Sequence, residues 1–222
     1  MAGLCDMLRA RRKRATAARM PIVQARFVMV DVETSGLDLR RDRLLSIGAV
    51  AVTGGAIRPA DSMAIVLRQA AESDRDNILV HGIGAEQQRA GLPLAEAMCL
   101  FSAFVGADTL VAYPADFDRH FLEREHRRAL GAAPHWTWID AAWLAPALLD
   151  GALGHRQSLD ALCAAYAISH LARHHAVSDA FATAELFLIL LARAARNGIQ
   201  TVGELRDCAQ AERQLERLKP PS

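Results

Sequence analysis

Asp31 and Glu33 stand two residues apart near the end of an apolar run, Phe27-Val28-Met29-Val30-Asp31-Val32-Glu33, which a Thr34-Ser35-Gly36 turn closes. The run has the composition of a buried strand, and in a strand such a pair shares one face, about 6 to 7 Å apart. Two carboxylates held side by side at an apolar strand end repel each other and lose hydration, so a bare pair is costly. A bound divalent cation relieves both penalties, and hard oxygen ligands at this spacing suit Mg²⁺ or Mn²⁺. Taken alone, Asp-x-Glu also fits a strand that ends at the surface with both acids solvated. Further ligands must therefore come from elsewhere in the chain.

Two other segments set acids among apolar neighbours, where an isolated charge is expensive. In Ala115-Asp116-Phe117-Asp118-Arg119-His120-Phe121-Leu122 a helix opens directly after a strand, with Asp118 beside its apolar stripe. Acids in a first helical turn also complement the helix dipole, which is the better account of Asp116 and an equal one for Asp118. His174-His175-Ala176-Val177-Ser178-Asp179-Ala180-Phe181 heads the longest apolar helix. In regular helix His174 and Asp179 would lie about 140° apart, so they converge only if His174 sits in the lead-in loop.

The elements that must position these groups follow from periodicity. Leu44 to Val52 reads as a second strand and Ser62 to Leu67 as a third, with Gly54-Gly55 turning between them, which makes an antiparallel meander. Residues 70–92 read as irregular and polar, around a His81-Gly82-Ile83-Gly84 pause. Leu94, Ala97, Met98, Phe101 and Phe104 have helical spacing. Thr109 to Tyr113 is a short strand stopped by Pro114, expected as the first residue of a helix running to about Leu130. Trp136 to Ile139 is another short apolar stretch, and Asp140 is expected to cap a helix over 141–149 rather than to catalyse. Further helices are expected at about 158–166 and 176–196, the second with Val177, Phe181, Ala184, Leu188 and Leu191 on one stripe, before a polar helix or tail over 201–217. A meander followed by strand-helix alternation predicts an α/β fold, a mixed sheet of antiparallel and parallel strands covered by helices, with the first strand central.

At 222 residues, 52% hydrophobic and 23% charged, the chain suits one ordinary domain with tails. No apolar run approaches the roughly 18 residues of a membrane span, so no membrane partner is expected. Cys5, Cys99, Cys163 and Cys208 are scattered without a C-x-x-C pair, which favours a reduced, cytoplasmic setting. The net charge of +1 hides a basic start, where Arg9, Arg11, Arg12, Lys13, Arg14 and Arg19 face a single Asp6. A solvated tail is the simplest reading of it, with a phosphate-binding arm or an organelle transit segment as alternatives and Met20 as an alternative start. A secretory signal is not expected, because no apolar segment follows the basic run.

Together, Asp31-Val32-Glu33-Thr34-Ser35-Gly36, Phe117-Asp118 and His174-x-Ala176-x-x-Asp179-Ala180 resemble, in order and separation, the three motifs of the DEDDh (DnaQ-like) exonucleases. That family includes the proofreading epsilon subunit of DNA polymerase III, ribonuclease T and oligoribonuclease. The resemblance covers roughly residues 25–195 and suggests a basic tail over 1–21, an exonuclease domain over 22–198 and a polar C-terminal helix or tail over 199–222. One departure stands out: the family commonly has His-Asn-Ala-x-Phe-Asp where this chain has Tyr113-Pro114-Ala115-Asp116-Phe117-Asp118. It alters hydrogen bonding to substrate at the strand end and adds the charge of Asp116 near the site.

The resemblance implies an RNase H-like fold and hydrolysis of phosphodiester bonds from the 3′ end of single-stranded DNA or RNA, releasing nucleoside 5′-monophosphates. It implies two divalent cations, Mg²⁺ or Mn²⁺, roughly 4 Å apart, bridged by Asp31, with Glu33 and Asp179 completing one site and Asp118 supporting the other. His174 would take the proton of the attacking water near neutral pH. It has the family spacing to Asp179, which His175 lacks, though an exchange of their roles stays open. The turn at Thr34 and Ser35 would meet the terminal sugar through its backbone, and Leu37 and His81 would contact the last nucleotide. Unpaired 3′ ends are the expected partner, with a polymerase or another replication or repair protein as a further candidate. The clusters Arg40, Arg41, Arg43 and Arg124, Arg127, Arg128 are available to offset phosphate repulsion, though each also reads as a solvated face. Two alternatives remain: an exoribonuclease for short RNA or tRNA ends, and a catalytically silent binding module, against which the five intact site residues argue.

Overall fold

The computed structural model describes residues 15–150, 156–169 and 174–219. Five strands form one sheet in the order β3-β2-β1-β4-β5. β1 (Arg26–Thr34) pairs antiparallel with β2 (Leu44–Thr53), and β2 with β3 (Ala56–Val66). On its other edge β1 runs parallel to β4 (Thr109–Ala112), which runs parallel to β5 (Thr137–Asp140). The mixed sheet with the first strand at its centre is therefore the one expected, and it is the strand order of an RNase H-like fold.

Helices α1 (Arg75–His81), α2 (Ala85–Ala90), α3 (Leu94–Val105), α4 (Ala115–Leu130), α5 (Ala141–Leu148), α6 (Leu159–Ala165), α7 (Ala176–Arg196) and α8 (Val202–Leu218) follow or separate the strands. Because side chains alternate along a strand, β1 feeds two cores. Phe27 and Met29 join Leu186, Phe187 and Leu190 of α7, Leu144 of α5 and Leu205 of α8. Val28, Val30 and Val32 join Met98 and Phe101 of α3 and Phe121 and Leu122 of α4. The Phe27 and Phe187 rings meet edge to face, centroids 5.0 Å apart, which locks α7 against β1. By the same alternation Asp31 and Glu33 fall on the α7 face of the sheet.

Several elements differ from expectation. Residues 70–92 contain α1 and α2, which lack an apolar stripe and are held by polar contacts instead. Gly82, at φ 70°, ends α1 by donating to the Ile78 carbonyl at 2.8 Å, and buried Gln88 accepts from Ser73 N at 3.1 Å while donating to the Ile83 carbonyl at 2.9 Å. β3 begins earlier than Ser62, at Ala56, because a register shift between Val50 and Ala51 leaves Pro59, Ala60 and Asp61 without partners on β2. An edge strand tolerates that proline. In α7 the deepest stripe is Ala176, Ala180, Thr183, Phe187, Leu190 and Ala194, one position away from the expected one, with Val177, Phe181 and Leu188 only partly buried. A helix with apolar residues over so wide an arc leaves its rotation to the packing partner.

Pro114 sits at the N-cap of α4, one place before the expected position. Asp140 caps α5 as expected, its Oδ1 accepting from Ala142 N at 3.0 Å. The polar C-terminal segment forms α8, started by a Thr201–Glu204 capping box, and buries Val202, Leu205 and Ala209 in the α7 core. Residues 20–22 pair with it: Ile22 N donates to Gln200 O at 2.9 Å and Val202 N to Met20 O at 3.0 Å. Among the described residues no helix is long and apolar enough to cross a membrane.

Candidate active site

Oxygens of Asp31, Glu33 and Asp179 all lie within 4.8 Å of one another, so β1 and the first turn of α7 together can hold a metal ion. What lets them meet is a glycine. Gly48 of β2 stands opposite Asp31 in the register, and a methyl group there would overlap the backbone of Ala176 and Val177. Without a side chain at that position the start of α7 lies directly on the sheet beside Asp31. Sequence reasoning passed over Gly48. The available signal was an isolated glycine inside the apolar strand Leu44 to Val52, which marks close approach of another backbone.

Asp118 arrives from the opposite face. β4 pairs with β1 only over Phe27 to Met29, so further along the strand the β1 edge has no ladder partner. The first turn of α4 fills the gap: Asp118 Oδ1 accepts from Val32 N at 3.0 Å, and the residue is only 4% exposed. One carboxylate thus completes the sheet edge and adds its charge to Asp31. Asp140 stands behind it, accepting from the amides of Ala142 and Ala115, and its charge acts on Asp118.

The cluster is electrostatically strained. Burial pushes the Asp31 carboxyl well above its usual range, and the charges of Asp118, Glu33 and Asp179 add to that. Glu33 rises to about 7 through burial and the Asp179 charge. Asp118 rises to about 8, mainly through burial and against the help of its backbone hydrogen bonds. Among the described residues no arginine, lysine or histidine forms an ion pair with Asp31, Glu33 or Asp118. Hard oxygen donors crowded together without a counter-cation are the donor set a divalent ion fits.

His174 lies in the turn before α7, at φ 55°, as convergence with Asp179 requires; its backbone N–H donates to Asp179 Oδ2 at 3.1 Å and its side chain is exposed. His175 is the N-cap of α7 and borders a cleft that also holds Glu33, Ala64 and Ile83.

The groups expected to meet a nucleotide are placed differently from one another. Leu37 is 84% exposed, on the loop after β1. His81 is 2% exposed, and both ring nitrogens are occupied: Nδ1 accepts from Ile83 N at 2.9 Å, so Nε2 carries the proton and donates to Asn77 Oδ1 at 2.8 Å. Its polar atoms thus support Asn77, whose Nδ2 donates to the Thr34 carbonyl at 3.2 Å, while the ring lines the same cleft as Glu33 and His175. Burial lowers the His81 pKa, in keeping with a neutral ring. At the turn, Thr34 Oγ1 donates to Gly36 O at 2.7 Å, Ser35 Oγ donates to Asp42 Oδ1 at 2.8 Å, and Ser35 N donates to Arg43 O at 2.9 Å. The Ser35 amide and the Thr34 carbonyl, backbone groups expected to meet a sugar, are thus engaged within the protein.

Two residues of α4 hold this loop in ways not expected beforehand: His120 was not singled out, and Arg124 was expected only as a cation near phosphate. Arg124 stacks over Phe121 at 4.6 Å and donates to the carbonyls of Leu39 at 2.6 Å and Asp42 at 2.7 Å. His120 Nε2 reaches the same Leu39 carbonyl at 2.9 Å. In the segment that departs from the motif, Tyr113 Oη donates to Gln157 O at 2.8 Å, and the extra Asp116 is held by Arg213 of α8 through bonds of 3.1 and 2.7 Å.

With this geometry in hand, comparison with known proteins is unambiguous about the family. Residues 28–187 match the RNase_T family model, described as Exonuclease. The chain belongs to this exonuclease family, in its DEDDh (DnaQ-like) branch. It is 30% identical over 181 residues to a DNA polymerase III PolC-type from Thermotoga maritima, covering 82% of this chain and 13% of that protein. It is 31% identical over 189 residues to a DNA polymerase III subunit epsilon-like protein from Rhodobacter capsulatus, covering 84% of this chain and 26% of that protein. The chain therefore spans a small part of these relatives. Among solved structures, E. coli Exonuclease I in complex with a dT13 oligonucleotide superposes with a TM-score of 0.65 at 19% identity, covering 78% of this chain and 42% of that one. Exonuclease X in complex with 5′ overhanging duplex DNA gives 0.64 at 21% identity, covering 82% and 99%. At these identities the structural likeness concerns the fold.

Proposed function

We propose that this protein removes nucleotides from single-stranded 3′ ends of DNA, releasing nucleoside 5′-monophosphates, with two divalent cations, Mg²⁺ or Mn²⁺, held by Asp31, Glu33, Asp118 and Asp179. The observation that carries the reading is the convergence of Asp31, Glu33 and Asp179 oxygens within 4.8 Å, in a cluster whose burial and mutual repulsion disfavour ionisation in the absence of a cation. When bound, such ions lower the pKa of the attacking water and stabilise the leaving oxygen. The chain's own groups do the rest. Asp31 and Glu33 fix the ligand oxygens on a strand buried in two cores, so little reorganisation accompanies binding. Asp118 is held in one orientation by the Val32 amide. His174, poised beside Asp179 and open to solvent, accepts the proton of the water. Leu37 borders the terminal nucleotide. DNA is favoured over RNA because the relatives are DNA polymerase III proteins and the structural neighbours hold DNA, and the same relatives support association with a polymerase.

The test is incubation of purified protein with 5′-labelled single-stranded DNA and RNA in Mg²⁺, Mn²⁺ or EDTA. A ladder shortening from the 3′ end, nucleoside 5′-monophosphate as product and silence in EDTA are expected. Metal-dependent loss from the 5′ end, or no hydrolysis of either polymer, would refute it. A faster ladder on RNA would move the reading to the exoribonuclease alternative. Replacing His174 by alanine should lower kcat by roughly 10²-fold or more; the same loss for His175→Ala alone would exchange the two roles.

A further inference from the structure

Two basic clusters, 80 residues apart in the chain, come together at one groove. The groove, about 500 Å³, is lined by Leu39, Arg40, His120, Glu123, Arg124 and Arg127. Its cations are not equivalent. Arg124 is consumed by the Leu39 and Asp42 carbonyls and by Glu125 at 2.7 Å. By contrast Arg40 and Arg127 are exposed, and among the described residues neither guanidinium has a hydrogen bond or ion pair. Glu123, the acid on the wall, is already matched by Arg119 at 2.9 Å. The groove thus carries two unspent positive charges whose positions are fixed from below: Arg124 and His120 hold the Leu39 carbonyl and with it the neighbouring Arg40.

The groove also has a definite relation to the acids. His120, Arg124 and Arg127 recur at helical spacing on the exposed side of α4, roughly opposite the side on which Asp118 is buried. Nine residues of helix separate Asp118 from Arg127, about 14 Å of rise, and their opposite sides add the roughly 11 Å width of the helix, so the two lie about 18 Å apart. That is about three nucleotide steps of an extended strand, so a backbone whose end sits at the acids can have other phosphates here.

We propose that Arg40 and Arg127 form a phosphate-binding track that holds nucleic-acid backbone a few nucleotides from the bond being cleaved. The chemistry recognised is the phosphodiester, supplied either by the scissile strand upstream of its 3′ end or by the complementary strand of a duplex. This rests on the exonuclease reading of the acids, and binding measurements separate the two. Each arginine that contacts a phosphate contributes roughly 0.7 to 0.9 to the slope of log Kd against log salt concentration.

The experiment measures anisotropy of fluorescent oligonucleotides in EDTA over a range of salt, for the native chain, Arg40→Glu, Arg127→Glu and the double variant. Arg58→Glu, an exposed change on β3 at the far end of the sheet, reports the effect of net charge alone. The double variant should lose roughly 1.5 from the slope, and Arg58→Glu should not. Loss on single strands assigns the track to the scissile strand; loss confined to duplexes with a recessed 3′ end assigns it to the complement. Slopes unchanged on both, or equal losses in Arg58→Glu, would overturn the proposal. A protein that binds with this arginine dependence but never hydrolyses would keep the track and refute the exonuclease function.

Discussion

Gly48 lies opposite Asp31 across the β1–β2 ladder, and the space where its side chain would be is filled by the backbone of Ala176 and Val177. The closeness of Asp179 to Asp31 therefore depends on a residue that has no functional group. Gly48→Ala should push the start of α7 off the sheet, at a cost of about 1 to 3 kcal/mol in stability. A displacement of about 1 Å suffices to lower turnover roughly 10²-fold. Thermal unfolding and exonuclease rates measure both effects; native turnover in a folded Gly48→Ala protein would show that the first turn of α7 is not needed.

Asp118 has two duties, and substitution can separate them. Asp118→Asn keeps an oxygen for Val32 N, removes a buried like charge and should leave the melting temperature unchanged or higher while activity falls. Asp118→Ala orphans a buried amide as well, which costs about 1 to 3 kcal/mol. Equal stability of the two variants would mean that the Val32 contact contributes nothing.

In the metal-free protein Glu33 titrates at about 7 and Asp118 at about 8, above the values of an unfolded chain. The folded state then binds protons more tightly than the unfolded one. Its stability falls as pH climbs from about 4 through about 8, and levels off beyond. A divalent ion selects the ionised folded site, so its stabilisation should be slight at pH 5 and grow toward pH 8. Melting curves in EDTA and in Mn²⁺ across this range test both trends, and Asp31→Asn should blunt them. A metal-induced shift that is flat with pH would contradict the charge assignment.

Arg124 holds the loop after β1 through two carbonyls that a lysine cannot engage in the same forked geometry. Arg124→Lys should speed proteolytic cutting within residues 35–43 and lower kcat/KM about tenfold, or 1.4 kcal/mol. Unaltered cutting would show that Asp42 and Arg43 hold the loop unaided.

The strands were legible in the sequence from their apolar periodicity; Asp31 and Glu33 alone also fitted a solvated strand end, and only three motifs matched in order tied them to Asp179, which the structure brings within 4.8 Å. The rest depended on tertiary contacts. Gly48, an isolated glycine in an apolar strand, signals a close backbone approach, but which backbone approaches is known only once α7 is placed on it. His81 has the same sequence context whether its ring nitrogens meet a ligand or the protein, and only the structure shows them spent on Asn77 and Ile83. Arg40 and Arg127 looked like the rest of two solvated clusters, because which arginines are spent on Leu39, Asp42 or Glu125 is fixed only when the loop meets α4.

The match to the family stops at residue 187, but the apolar interior does not. Leu205 and Ala209 cover the same side chains that back β1, and Arg213 reaches Asp116 two residues from Asp118. A fragment trimmed to the family limits would cut α7 short and uncover the apolar side chains that back β1, so the smallest piece of this chain that folds stably extends well into α8.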